Sequence, residues 1–195
     1  YELLEIARDK ELETAGLDLS AAAKKRITRN GISGLTRLEQ KQLFSTGMDD
    51  ATYRDYMIDI FKAVHCGMGM GKIEARLYDT WTARNDRMAL SISQMADSGT
   101  GPVVVIIGGG HTEFDLGVID RLRAIDSNLK QVNVGLTEIT VTPSGLEDYL
   151  APLELSGYPG VPRSDYTWFF QRASYEDPCK RFKEQMKQFP PKKEK

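Results

Sequence analysis

Pro102–His111 reads P-V-V-V-I-I-G-G-G-H. The branched apolar run Val103–Ile107 predicts a strand buried on both faces, as in a parallel sheet. Gly108, Gly109 and Gly110 then remove side chains where the backbone turns tightly or approaches a ligand. Thr112 and Asp115 follow at capping-box-like spacing, which predicts a helix from Glu113 to about Ala124. His111 is thereby set at the carboxyl end of a central strand, beside a helix start. In open α/β sheets that edge is where ligands bind. The chain has two histidines, so one placed there points to a functional role or, more plainly, to a turn histidine satisfied by backbone groups.

Downstream of this block, Gln131–Leu136 predicts a second strand. Tyr166–Phe170, Y-T-W-F-F, predicts a last one after the Pro/Gly-rich loop Gly157–Pro162. Upstream, a long helix is predicted from Lys72 to about Asp97, with the stripe Ile73, Leu77, Trp81, Met88, Ile92 and Met95. A shorter helix opens at Asp49 or Asp50, where Tyr53, Tyr56, Met57, Ile60, Phe61 and Val64 recur at helical spacing. Ser20 caps a basic helix closed by Gly31. Leu35–Phe44 reads as a short helix with Thr36 and Glu39 as a capping box, Leu12–Leu19 as a weak strand, and the stretch up to Lys10 as the end of a helix. The expected organisation is one α/β domain over residues 1–195, its βαβ core on the C-terminal side and a mostly helical insertion at about 20–71.

The chain has 195 residues, 41% hydrophobic and 28% charged, an ordinary globular balance. A net charge of -2 gives no basic excess to attract nucleic acid and no polybasic patch for a membrane surface. No apolar run reaches the length of a membrane span. The opening Y-E-L-L-E-I-A-R already has the pattern of a helix interior, so the sequence is expected to continue upstream of Tyr1. Cys66 and Cys179 do not make a disulfide framework, and their separation neither supports nor excludes pairing. There is no C-x-x-C-H, so covalent c-type haem is excluded on motif grounds, and no C-x-x-C, H-E-x-x-H or Walker loop.

Helical spacing from Trp81 puts the next inward positions at Arg84 and Asn85. A charge there costs several kcal/mol of desolvation unless it is paired. Arg84 therefore meets a buried carboxylate, faces a polar cleft, or snorkels to solvent. If the long helix packs beside the Val103 strand, Arg84, Asn85 and His111 converge on one crevice. His65 closes the preceding helix beside Cys66, Met68 and Met70, a cluster that offers haem or soft-metal ligands or, more plainly, a histidine at a helix C-terminus. Tyr53, Tyr56 and Tyr78 have the spacing of core residues.

Arg84–Ala89, R-N-D-R-M-A, followed by Val103–His111, resembles the ChaN-like haem-binding family of the Tiki superfamily. That family has an acidic or amide residue before a Met-Ala pair, here Asn85 before Met88 and Ala89. It then has an apolar strand and a Gly-x-Gly-His turn, followed by D-x-G-[VI], here Asp115–Val118. D-Y-T-W-F at Asp165–Phe169, D-P-C at Asp177–Cys179 and R-I-T-R-N-G-I-S-G-L-T within Ser20–Leu35 extend the resemblance over nearly the whole chain. The family's upstream strand with a Gly-Glu-x-x-His-like motif has no match here, and Asn85 stands where Asp is commoner.

The resemblance implies a three-layer α/β domain with a mainly parallel sheet and a helical subdomain. It implies non-covalent haem binding at the bacterial cell envelope, as a periplasmic or outer-membrane lipoprotein in haem or iron uptake, with dimerisation around stacked haems. Candidate cofactor-binding residues are His65, Tyr78, Met68, His111, Arg84 and Asn85, with His65 and Tyr78 as candidate iron ligands and the axial ligand unassigned. Haem needs an apolar slot, an axial ligand and cations for its propionates, and the helical insertion offers Tyr53, Tyr56, Met57, Ile60 and Phe61 for the slot. The alternative is a hydrolase like related esterase-type branches of the superfamily, with His111 as metal ligand or general base and Arg84 stabilising negative charge. A structural domain with a degenerate site is the third reading. Fold alone does not choose among them.

Overall fold

The computed structural model describes residues 2–43, 50–66, 72–99, 101–157, 160–181 and 184. Helix α1 (Glu2–Asp9) buries none of its residues. Helix α2 (Ala21–Asn30) starts where the Ser20 hydroxyl accepts the Ala23 N–H, and it stops at Gly31, whose φ of 69° suits a residue without Cβ. Its inward residues Ala23 and Ile27 pack with Leu35 and Ala83. Helix α3 (Arg37–Gln40) carries the expected capping box, Thr36 with Glu39, but is only one turn long; Phe44 lies outside the described residues.

Helix α4 (Ala51–Val64) is capped by the Asp50 carboxylate and buries Tyr53 and Met57. The rest of its apolar stripe is less covered, and Val64 is 66% exposed. Helix α5 (Lys72–Ser98) is the axis of the molecule. Around its middle, Tyr78, Thr80–Ala83, Asn85, Asp86, Met88, Ala89, Ser91 and Ile92 are all buried, because α2, α4 and α6 (Val118–Ile125) lean on different sides of it. Met88, Ala89 and Ile92 form a core with Val118 and Leu122 of α6. Each of these Met, Ile, Val and Leu side chains contributes roughly 1.5–3 kcal/mol by burial.

Strands β1 (Val134–Ile139) and β2 (Tyr166–Gln171) pair in parallel, Val134 opposite Tyr166 and Leu136 opposite Trp168. Between them lies the single turn of α7 (Leu146–Tyr149). The architecture is thus mixed helix and strand, with a two-stranded parallel sheet among the described residues. β1 begins three residues later than expected. At Asn133 the backbone is already committed to the start of the other strand: its carbonyl accepts both the Asp165 and Tyr166 N–H groups, and its own N–H donates to the Asp165 carboxylate at 2.7 Å.

Two expected strands and one helix start are corrected. Val103–Ile107 is extended but forms no ladder among the described residues, and it is not buried on both faces. Val103, Val105 and Ile107 pack on the α5–α6 core, while Val104 and Ile106 are 83% and 68% exposed. Alternation along an extended chain sends successive side chains to opposite sides, and only the helix side has a layer against it. Leu12–Leu19 behaves alike, without a ladder, its Leu17 packed on the same core.

The helix expected from Glu113 starts instead at Val118. Phe114 and Asp115 adopt left-handed φ values of 59° and 60°, so the chain makes two 3-10 turns, Gly109–His111 and Glu113–Asp115, before α6. Gly117, at φ 72°, completes the reversal; a Cβ there would sit 2.3 Å from the His111 carbonyl oxygen. A left-handed Phe is costly, about 1–3 kcal/mol. It is held by burial of its ring, by its N–H donating to the Arg163 carbonyl, and by the Arg163 guanidinium over its face.

Candidate functional site

α5 and the glycine turn build the site. The extended run ending at Ile107 delivers Gly108–His111 to the side of α5, one end anchored by Ile107 in the core and the other by Gly117. Trp81 is the platform. Its indole N–H donates to the Gly110 carbonyl at 3.1 Å, and its ring lies 8° from parallel with the His111 imidazole, centroids 6.1 Å apart. One turn further along α5, the fully buried Asn85 places Oδ1 2.6 Å from His111 Nδ1. Asn85 Nδ2 is buried without a partner among the described residues, an uncommon condition that points to an absent polar neighbour.

The imidazole is neutral at ordinary pH. Burial disfavours its charged form, and the Arg84 and Arg121 cations add to this against the opposing Asp18, so its pKa is pulled down to about 4. His111 is stacked and hydrogen-bonded, and its removal would leave Asn85 without its partner.

Beneath it lies a buried ion pair that the sequence did not single out. Arg121 of α6 donates to the Asp86 carboxylate at 2.6 Å, both side chains fully buried, and to the Gly117 carbonyl at 2.7 Å. Its guanidinium carbon sits 5.6 Å from the Trp81 ring centre. Asp120, next along α6, is pushed up to about 6 by burial, against the pull of Arg121. R-N-D at Arg84–Asp86 was a visible break in an apolar helix, but nothing in the sequence named Arg121 as the partner.

Arg84 meets a carboxylate, one of the readings left open. Its Nε lies 3.1 Å from Asp18 Oδ1, and Lys24 reaches the same carboxylate at 2.7 Å. Burial opposes the charge on Asp18, but the bonds from Arg84 and Lys24 hold its pKa below the usual range. Arg84 thus acts on His111 through its field while its own charge is answered by Asp18.

Next to the turn, a crevice opens between α4 and the 3-10 turns, lined by Tyr53, Tyr56, Met57, Ile60, Gly110, Glu113, Phe114 and Leu116. Its free volume is about 30 Å³, against roughly 300–1,000 Å³ for pockets that hold drug-sized ligands. The walls are apolar and aromatic, but the space between them is too small to hold a ligand of that size. Tyr56 brings a phenol to this wall; burial and the Glu113 carboxylate raise its pKa, with Arg163 opposing. Gly108 and Gly110 have open space where a Cβ would stand, and none of the three glycines needs a positive φ. At Gly108 and Gly110 the fold itself does not require bareness, which leaves that backbone approachable, whereas a Cβ on Gly109 would meet the Glu113 carboxylate at 2.9 Å.

The other candidates are placed elsewhere. Tyr78 is 1% exposed, stacked on Trp81 and covered by Arg54, and does not line the crevice. His65 ends α4, its Nδ1 2.7 Å from the Phe61 carbonyl oxygen, beside Cys66. Cys66 is disulfide-bonded to Cys179. Met68 lies outside the described residues. Among the described residues no group of three or more His, Cys, Asp or Glu side chains is placed to hold a metal ion.

A family model described as "Haem-binding uptake, Tiki superfamily, ChaN" matches residues 1–122. The chain belongs to this family. The match takes in α1–α5, the glycine turn and most of α6, and so covers the His111–Asn85 pair, the Asp86–Arg121 pair and the crevice. The sheet lies beyond it. No curated protein and no solved structure matches the chain. Haem is accordingly the ligand that the family's description names.

Proposed function

We propose that the protein binds haem non-covalently between α4 and the glycine turn, in haem or iron uptake or handling. The observation that carries this reading is the juxtaposition of an aromatic, apolar crevice with bare glycine backbone and a neutral, oriented imidazole. Bound haem would supply an iron that coordinates oxygen or nitrogen donors. Tyr53 and Tyr56 line the crevice and His111 directly follows Gly110 of its wall; Arg163, over the Phe114 ring and ion-paired with Glu113, is the cation offered to a propionate. Titration with ferric haem, followed by the Soret band, is expected to saturate, and Tyr56→Phe to weaken binding by at least about tenfold, some 1.4 kcal/mol. Absence of a saturable shift would sink the proposal. The hydrolase alternative retains the oriented imidazole as a base, but Arg84, its intended anion stabiliser, is already held by Asp18.

A third layer over the sheet, and a homodimer, are part of the same reading. Val134, Leu136, Tyr166, Trp168 and Phe170 share one face of β1–β2, and their exposures run from 38% to 71%. An uncovered apolar face of this kind marks a surface that another layer covers. The 195-residue chain is expected to self-associate in sedimentation experiments, and Trp168→Lys to weaken association about 30-fold, the effect of losing a hot-spot aromatic worth about 2 kcal/mol. A monodisperse monomer, or a variant with unchanged association, would count against it.

For location we propose the bacterial cell envelope. The Cys66–Cys179 bond supports it, because structural disulfides persist in oxidising compartments. No helix among the described residues is long and apolar enough to cross a membrane.

A further inference from the structure

We propose that Asn85 is a positioning residue, whose amide oxygen holds His111 as its Nδ1–H tautomer so that the turn presents a bare Nε2 lone pair to the ligand. The ligand's identity rests on the haem reading; the tautomer does not.

Three observations converge on it. The 2.6 Å contact between Asn85 Oδ1 and His111 Nδ1 lies at the short end for N–H···O. The reverse amide orientation, with Nδ2 donating to a bare Nδ1, would ordinarily be longer. Both partners are immobilised: Asn85 is fully buried on the central helix, and Trp81 lies parallel to the imidazole while gripping the preceding carbonyl. His111 Nε2 makes no hydrogen bond among the described residues and is not one of the buried unpartnered atoms, so it remains open to solvent or ligand.

The charges around the ring agree with an acceptor nitrogen. Arg84 and Arg121 act on it as cations and Asp18 as a carboxylate. An amide at position 85 orients the imidazole without adding the negative charge that would help it take up a second proton. It also leaves Asn85 Nδ2 as a buried donor without a partner among the described residues.

Long-range 15N–1H correlation on the ligand-free chain tests this directly. The chain has two imidazoles, and a His65→Gln variant assigns them. His111 is expected to carry its proton on Nδ1, although a free imidazole favours Nε2. Asn85→Asp should keep the Nδ1–H form, since a carboxylate can only accept, and Asn85→Ala should shift the population toward Nε2–H. An Nε2–H tautomer in the unmodified chain would overturn the proposal, as would an unchanged Nδ1–H tautomer in a folded Asn85→Ala variant. If that variant does not fold, the unmodified chain and Asn85→Asp decide. Because no haem is present, an Nδ1–H result together with failed haem titration would dismiss the haem reading and leave the positioning role standing.

Discussion

Asp86→Ala is expected to cost about 3–5 kcal/mol of folding stability, the effect of leaving one charge of a buried pair uncompensated. Asp86 and Arg121 are both fully buried, 2.6 Å apart, on the two helices whose packing forms the main core. Removing the carboxylate leaves the guanidinium with the Gly117 carbonyl, the largely buried Asp120 and the Trp81 face. Those neighbours soften the loss without replacing the lost charge. Denaturant unfolding followed by far-ultraviolet circular dichroism should show a lower midpoint at unchanged slope. Asp86→Ala combined with Arg121→Met should recover much of the loss, because the stranded charge is then gone as well. A single-variant loss under about 1 kcal/mol would show that the pair is not desolvated as described.

Breaking the Cys66–Cys179 bond is expected to cost about 2–5 kcal/mol. The two cysteines are 113 residues apart in sequence, and closing so long a loop removes much entropy from the unfolded chain. Cys66 also directly follows His65 at the end of α4, so the bond ties the C-terminal segment to the helix that carries Tyr53 and Tyr56. Cys179→Ser should lower the melting temperature, and reductant should lower that of the unmodified chain to match while leaving the variant unmoved. Thiol labelling of protein taken from cells should find both sulfurs blocked. Free thiols there, or a melting temperature indifferent to reductant, would remove the bond and with it the support for an oxidising compartment.

Much of the local structure was legible from residues a few positions apart. Ser20 and Gly31 bracket α2, Thr36 and Glu39 form the capping box of α3, Asp50 opens α4, and the stripe through Trp81, Met88 and Ile92 defines α5. These signals are local because each is a hydrogen bond within one helical turn, or a spacing repeated along one helix. The parallel pairing partners were legible as apolar runs, and the convergence of Asn85 and His111 followed from helical phase plus the glycine turn.

Other features depended on what each segment meets. Val103–Ile107 has the composition of a doubly buried strand, yet Val104 and Ile106 face solvent, because burial depends on which layers are present. The start of α6 moved to Val118 because the ring of Phe114 is buried under Arg163, which holds a left-handed backbone that local preference disfavours. Arg84 could have gone to a carboxylate, a cleft or solvent; Asp18, 66 positions earlier, decided it. The pairing of Asp86 with Arg121 and of Cys66 with Cys179 likewise joins residues far apart in the chain. The sequence by itself determined α2, α4 and α5, the caps of α2 to α4, the glycine turn and the family. The tertiary structure alone decided which charges pair, which apolar face stays open and which nitrogen of His111 is left free, because desolvation and partner choice are properties of a packed environment that no single segment carries.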